Sequence, residues 1–180
     1  MIFIPTSFNG LTVIQPTVYG DTRGYFYESY NKDVFFAHGL DINFVQDNQS
    51  MSHKDALRGL HFQSPPFDQG KLVRVVRGAV NDVVVDLRKN SITYGQHFSL
   101  ILSEQNHTML WIPPGFAHGF ATLENSTLFS YKCTGVYNKA SEGGVLWNDK
   151  DLSIDWGVAE PILSDKDKTN PCLKDIVSPF

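Results

Sequence analysis

Hydrophobic and polar positions alternate with a period of two over much of this chain, the pattern of strands that bury one face. In Ala79 to Leu87, Val83, Val85 and Leu87 fall on one side while Asp82, Val84 and Asp86 fall on the other. In His97 to Ser103, Phe98, Leu100 and Leu102 share a face, and in Thr127 to Cys133 so do Thr127, Phe129, Tyr131 and Cys133. Helical periodicity is nearly absent. The one good stretch is Asn31 to Leu40, where Asn31 can cap the first turn and Gly39 can close the last. Turn-forming punctuation separates the runs at Arg77-Gly78, Lys89-Asn90-Ser91, Gln105-Asn106, Pro113-Pro114-Gly115 and Glu124-Asn125-Ser126. Short strands at close spacing with turns between them predict an all-β sandwich or barrel. For this length, jelly-roll closure with a few short helices is favoured.

Composition narrows the class. With 180 residues and no repeat, low-complexity tract or linker-like shift in the first 160, one domain over residues 1–180 is expected. A net charge of −4 offers no basic footprint for nucleic acid and none for an anionic membrane surface. No apolar run reaches the ~18 residues that a membrane-crossing helix needs, and the opening MIFIPTSFNG lacks the positive start of a signal peptide. Two cysteines, Cys133 and Cys172, lie far apart, so the expected setting is soluble and cytoplasmic with reduced thiols.

Five segments carry chemistry. In Arg58-Gly59-Leu60-His61-Phe62-Gln63, alternation puts His61 with Gly59 and Gln63, opposite Leu60 and Phe62. That imidazole can meet a ligand, or be half-buried against a neighbour. Lys71, opening a hydrophobic hairpin after Gln69-Gly70, is either an edge charge that discourages aggregation or a cation placed for an anionic intermediate. Tyr131 faces inward and needs a hydroxyl partner, usually a backbone carbonyl; its functional reading is a general acid. Pro113 to Gly119 is a turn that delivers His118 to a strand. Asp21 to Glu28 sets Arg23 and Glu28 around an aromatic strand containing Phe26; an arginine fork suits phosphate and a ring suits base stacking, while an ordinary surface ion pair is worth little. No Gly-rich phosphate loop occurs, and no His-x-His or His-x-x-x-His spacing supports a metal site.

Ten stretches in order give these segments a common meaning. They are D-x-RG-x-F-x-E at Asp21 to Glu28, Q-x-N-x-S at Gln46 to Ser50, RGLHFQ at Arg58 to Gln63, and QGKLVRVVRG at Gln69 to Gly78. VVVDLR follows at Val83 to Arg88, IPPGFAHGF at Ile112 to Phe120, and YKCT at Tyr131 to Thr134. The last are WND at Trp147 to Asp149, IDW at Ile154 to Trp156 and LSDKD at Leu163 to Asp167. From about Val13 to Pro171 the chain resembles the dTDP-4-dehydrorhamnose 3,5-epimerase family, cupin-fold epimerases of nucleotide-deoxysugar synthesis. The resemblance implies His61 as catalytic base, Asp167 as the carboxylate that orients it, Tyr131 as the acid on the opposite face of the sugar, and Lys71 as the cation at the enolate. It implies His118 as a further polar contact at the sugar, and Arg58, Gln46, Asn48, Arg23, Phe26 and Glu28 around the nucleotide and diphosphate. Tyr137 joins the implied substrate-binding set. The family's Arg23 segment crosses to a partner subunit, which implies a homodimer with strand exchange.

One stretch departs from the family pattern. After Tyr137, where Ser-Pro-Glu-x-Glu is usual, this chain has Asn138-Lys139-Ala140-Ser141-Glu142-Gly143-Gly144. The implied reaction acts on a 4-keto-6-deoxyhexose, whose ketone acidifies the hydrogens on C3 and C5, and needs neither metal nor redox cofactor. Three alternatives stay open on sequence: a C3-only or C5-only epimerase, a non-catalytic sugar-binding cupin, and a metal-dependent cupin, the last disfavoured by the histidine spacing.

Overall fold

The computed structural model describes residues 1–180. The strands are β1 (Ile2–Pro5), β2 (Thr12–Gln15), β3 (Tyr19–Asp21), β4 (Gly24–Phe26), β5 (Gln46–Ser52), β6 (Leu57–Gln63) and β7 (Lys71–Arg77). They continue with β8 (Ala79–Asp86), β9 (His97–Ser103), β10 (Met109–Ile112), β11 (Phe116–Thr122), β12 (Thr127–Cys133) and β13 (Glu142–Gly144). A six-stranded sheet runs β1-β2-β10-β7-β12-β5 and a five-stranded sheet runs β13-β6-β11-β8-β9. All pairs within them are antiparallel. The strands β3 and β4 form a separate hairpin. The expected all-β, jelly-roll sandwich is what forms. Its one α-helix, α1 (Lys32–Ala37), starts where Asn31 accepts from the amides of Asp33 and Val34. The helix closes at His38, and the chain turns away at Gly39, whose φ of +81° glycine adopts without strain.

The facing sheets bury Val73, Val75, Val80, Val84, Leu102, Leu110, Phe116, Phe120 and Phe129 between them. A second apolar layer lies behind the five-stranded sheet. There Leu57, Leu60, Phe62, Val83, Val85, Leu87, Ala117 and Ala121 pack against Val145, Leu152, Trp156 and the chain down to Phe180. The alternation in β8 suggests a strand with one polar side, yet every residue of β8 is buried. The reason is this C-terminal cover: one face meets the facing sheet, the other meets residues 145–180.

Two local features bear on function. Between β6 and β11 the register runs His61 against His118, then Arg58 against Phe120, so β6 carries one extra residue. This is a β-bulge, and it reverses the side-chain alternation across it. Leu57 and Leu60 therefore both face the outer layer, while Arg58 and His61 both face the interior cleft. Gly59 sits inside the bulge at φ +131°, and a Cβ there would lie 2.5 Å from the Gly119 Cα. Only glycine fits.

The other feature is a polar knot at the end of β8. Asp86, fully buried, accepts from Arg88 through its backbone N, Nε and Nη2 at 2.8–3.0 Å, and from the Ser91 and Thr93 hydroxyls at 2.6 Å. Burial alone would raise its pKa, but these donors outweigh burial and hold it at about 2. A depressed folded pKa gives stability that is complete above the unfolded value of about 3.9 and is lost as pH falls through about 2. The linked contribution is about 2 kcal/mol. Urea unfolding of Asp86→Asn should therefore show a deficit of about 2–3 kcal/mol at pH 7 that shrinks between pH 4 and pH 2. A deficit independent of pH would show that the carboxylate charge is not what stabilises this corner.

Candidate active site

Between the sheets the apolar packing is interrupted by a cluster of polar and ionisable side chains. A cavity of about 650 Å³ opens there, lined among others by Arg58, His61, Lys71, His118, Tyr131 and Asp167. β6 and β11 of the five-stranded sheet supply His61 and His118, paired directly across the ladder. β7 and β12 of the facing sheet supply Lys71 and Tyr131, whose strands are also neighbours. The two sheets thus present different chemistry from opposite walls.

His61 is half-buried, and its Nε2 lies 2.5 Å from Asp167 Oδ1, a contact spanning 106 residues. Burial would raise the Asp167 carboxyl, but the hydrogen bond and charge of His61, with help from Ser164, outweigh it and hold the pKa below the ordinary carboxylate value. An ionised carboxylate only accepts, so Nε2 is the ring nitrogen that turns a proton toward Asp167, and in the neutral imidazole Nδ1 keeps its lone pair. That is the tautomer a proton acceptor requires.

Lys71 is not an edge charge. β7 lies between β10 and β12 in the middle of its sheet. Its Nζ is 5.9 Å from the centre of the Tyr131 ring and forms no ion pair. Burial lowers its pKa, opposed by Cys133 and Asp82. Tyr131 is half-buried, no backbone carbonyl accepts from its hydroxyl, and burial raises its pKa, so the phenol stays protonated. His118 is buried with Nε2 2.9 Å from Asp82 Oδ2; burial lowers its pKa against the pull of Asp82.

The remaining sequence candidates divide. Asn48 lines the cavity and pairs across the ladder with Tyr131. Gln46 donates to Asn48 at 3.0 Å and accepts from the Tyr137 amide, so it shapes the rim. Tyr137 turns its hydroxyl to Glu142 at 3.2 Å. Arg23, Phe26 and Glu28 are not brought to this cavity. Arg23 and Phe26 border a separate depression on the β3–β4 hairpin, and Arg23 is paired with Asp21 at 2.5 Å. Glu28 accepts from the Asn31 amide group at 3.0 Å. Within one chain, the bland ion-pair reading of Arg23 describes what is seen.

Asp82, Glu142 and Lys166 belong to the site and were not among the sequence candidates. Asp82 could have been found: an acid amid VNDVVVD, on a strand otherwise apolar, needs a buried partner. No three His, Cys, Asp or Glu side chains converge in a way that could hold a metal ion.

An imidazole on one wall of a cupin-like sandwich faces a phenol and a neighbouring ammonium on the other, a set of groups able to take and give protons; the class is an isomerase. The chain belongs to the dTDP-4-dehydrorhamnose 3,5-epimerase family, whose pattern it matches over residues 5–175. It is 50% identical over 169 residues to the dTDP-4-dehydrorhamnose 3,5-epimerase of Methanothermobacter thermautotrophicus, covering 92% of this chain and 91% of that one. It is similar to the Bacillus anthracis enzyme of the same name, solved with TDP and PPi bound, at a TM-score of 0.93 and 49% identity, covering 95% of this chain and 98% of that one. The Legionella pneumophila dTDP-6-deoxy-D-glucose-3,5-epimerase, solved with dTDP-4-keto-L-rhamnose, superposes at 0.93 with 46% identity over 98% of this chain and 94% of that one.

The ammonium of Lys71 offers a test that needs no substrate. With its pKa lowered by burial, the dimethylated Nζ should titrate at lower pH than the exposed lysines in carbon NMR after reductive methylation. A titration coincident with the surface lysines would remove it as a desolvated cation.

Proposed function

We propose that this protein inverts C3 and C5 of a dTDP-4-keto-6-deoxyhexose, converting dTDP-4-dehydro-6-deoxyglucose to dTDP-4-dehydrorhamnose. The observation that carries the reading is the placement of His61 and Tyr131 on facing sheets across one cavity. Inverting a carbon requires removing its proton on one face and returning one on the other, and a base and an acid on one wall would serve one face only.

In this reading His61 Nδ1 takes the proton next to the ketone. The electron pair moves into the C–C–O unit, giving an enolate whose charge settles on O4. Lys71 stabilises that oxygen in a site that excludes much of the water, where a fixed charge acts strongly. Asp167 holds the imidazole in its working tautomer and supports the imidazolium that forms. Tyr131 returns a proton from the opposite wall; the imidazolium then gives its proton up to solvent and the phenolate takes one from solvent, which restores both groups. The same groups serve the second carbon after the ring shifts. His118, oriented by Asp82, contacts the sugar.

Arg58 and Asn48 extend the cavity toward the diphosphate, with Gln46 and Tyr137 on its rim. Arg23, Phe26 and Glu28 fit if the hairpin serves the cleft of a second copy, which supports a homodimer. An exposed hairpin with Tyr25 and Phe26 uncovered is the kind of edge that a partner covers. A cytoplasmic setting is supported by the two unpaired cysteines; no helix is long and apolar enough to cross a membrane.

Incubation with dTDP-4-keto-6-deoxyglucose in deuterated water should place deuterium at both C3 and C5. Label at one carbon only would reassign the chain as a single-centre epimerase, and none would leave a binding protein. His61→Ala should lose at least about 10²–10⁴-fold in both exchange and inversion. Tyr131→Phe should still exchange while mostly retaining configuration, because reprotonation then comes from the His61 side. Normal inversion by Tyr131→Phe would exclude it as the acid. Light scattering at micromolar concentration should give a dimer mass; a fully active monomer would contradict the shared site.

A further inference from the structure

Asp167 lies on a segment that no strand supports. Its only backbone-to-backbone hydrogen bonds between residues 163 and 170 are internal, Lys168 to Ser164 and Thr169 to Lys166. Backbone anchorage resumes at either end, at Ile162 against residues 55–57 and at Pro171 against Leu146. Between those points a turn must hold a carboxylate within hydrogen-bond distance of His61, although turns are the most mobile parts of a fold.

The Asp167 carboxylate itself accepts from the Gly59 amide of β6, and a side-chain contact restrains the turn around it. Lys166, next to Asp167, reaches Glu142 with Nζ 2.5 Å from Oε1. Glu142 opens β13, which is hydrogen-bonded to β6 with Glu142 opposite Gln63 and Gly144 opposite His61. The strand that carries Glu142 is therefore the one laid alongside the strand that carries His61. The other Glu142 oxygen accepts from the Tyr137 hydroxyl at 3.2 Å. Gln63, the β6 residue opposite Glu142, accepts from the Asn138 amide at 2.7 Å and donates to the carbonyls of Phe67 and Val136. One carboxylate thus joins the Asp167 turn, the 136–141 loop and the His61 strand at the mouth of the cavity.

We propose that Glu142 is a positioning residue for the His61–Asp167 pair: through Lys166 it fixes the turn that carries Asp167 relative to β6, and through Tyr137 it ties the neighbouring loop to the same point. This rests on the reading of His61 as the base, and it goes beyond that reading by assigning the pair's alignment to a contact one residue away from Asp167. The charged groups around the Glu142 carboxylate are Lys166 and His61, with Asp167 beyond His61.

The test compares Glu142→Gln, Lys166→Met and the double variant. Each single variant should lower kcat about 10–100-fold with KM within about twofold, as expected for a misaligned but still occupied site. Because the two side chains act as a unit, the double variant should be no slower than the slower single one. In the substrate-free protein, the far-downfield proton resonance of the short His61–Asp167 hydrogen bond should broaden or vanish in both single variants. The spectrum reads alignment even if no epimerisation is found, so an inactive wild type with this spectral response would sink the reaction and leave the positioning role standing. A rise in KM at constant kcat would make Lys166 a substrate contact instead. Multiplying effects in the double variant, or an unchanged downfield resonance, would overturn the proposal. Should Glu142→Gln fail to fold, Lys166→Met gives the same two readings alone.

Discussion

The five-stranded sheet is apolar on both faces, and the chain must cover both or lose the fold. One face is buried against the facing sheet. The other, built from Leu57, Leu60, Phe62, Val83, Val85 and Leu87, has only residues 145–180 to shield it. Those residues have little regular structure, so what fixes them is burial of Trp156, Leu152 and Val145 and a few polar anchors. One is the hydroxyl of Ser178 donating to the Leu87 carbonyl; another is Asp149 accepting from the Leu173 amide. The hydrophobic requirement is also what brings Asp167 to His61. A segment recruited to hide a sheet delivers the carboxylate that completes the site.

The cavity lies where the interior changes character. The inner faces hold Phe116, Phe120 and Phe129 in the apolar core, and alternating with them on β11 and β12 are His118 and Tyr131, joined by Lys71 of β7 and Asp82 of β8. Phe129 and Tyr131 are two residues apart on β12 and share its inner face. Apolar packing thus runs to the edge of the chemistry with no gap, and the rings of Phe129 and Tyr131 sit 6.0 Å apart. A desolvated lysine and a protonated phenol both follow from this border.

Strand identity was legible from period-two patterning in β8, β9 and β12, and the capped helix at Asn31 was legible from its cap. The double burial of β8 was not, because alternation reports one face at a time and the cover comes from a part of the chain without periodicity. His61, Lys71, Tyr131 and Asp167 were reached through ordered motifs; their convergence is a fact of topology that spacing does not encode. Glu142 and Lys166 escaped notice because an ion pair between two non-repetitive segments leaves no pattern in either. The edge-charge reading of Lys71 failed for a definite reason: the pairing order of strands, which places β7 centrally, is non-local.

The bulge at Gly59 makes chain length itself part of the recognition apparatus. Arg58 and His61 are three residues apart and look the same way only because one surplus residue is absorbed between them. Exchanging side chains on either flank alters local fit. Deleting a single residue would do something different in kind: it would turn either the arginine or the histidine away from the cavity, with the amino-acid inventory almost unchanged. In a gene, this strand is therefore a stretch where a three-nucleotide loss is more damaging than most missense changes, a rule that holds for counting rather than for chemistry.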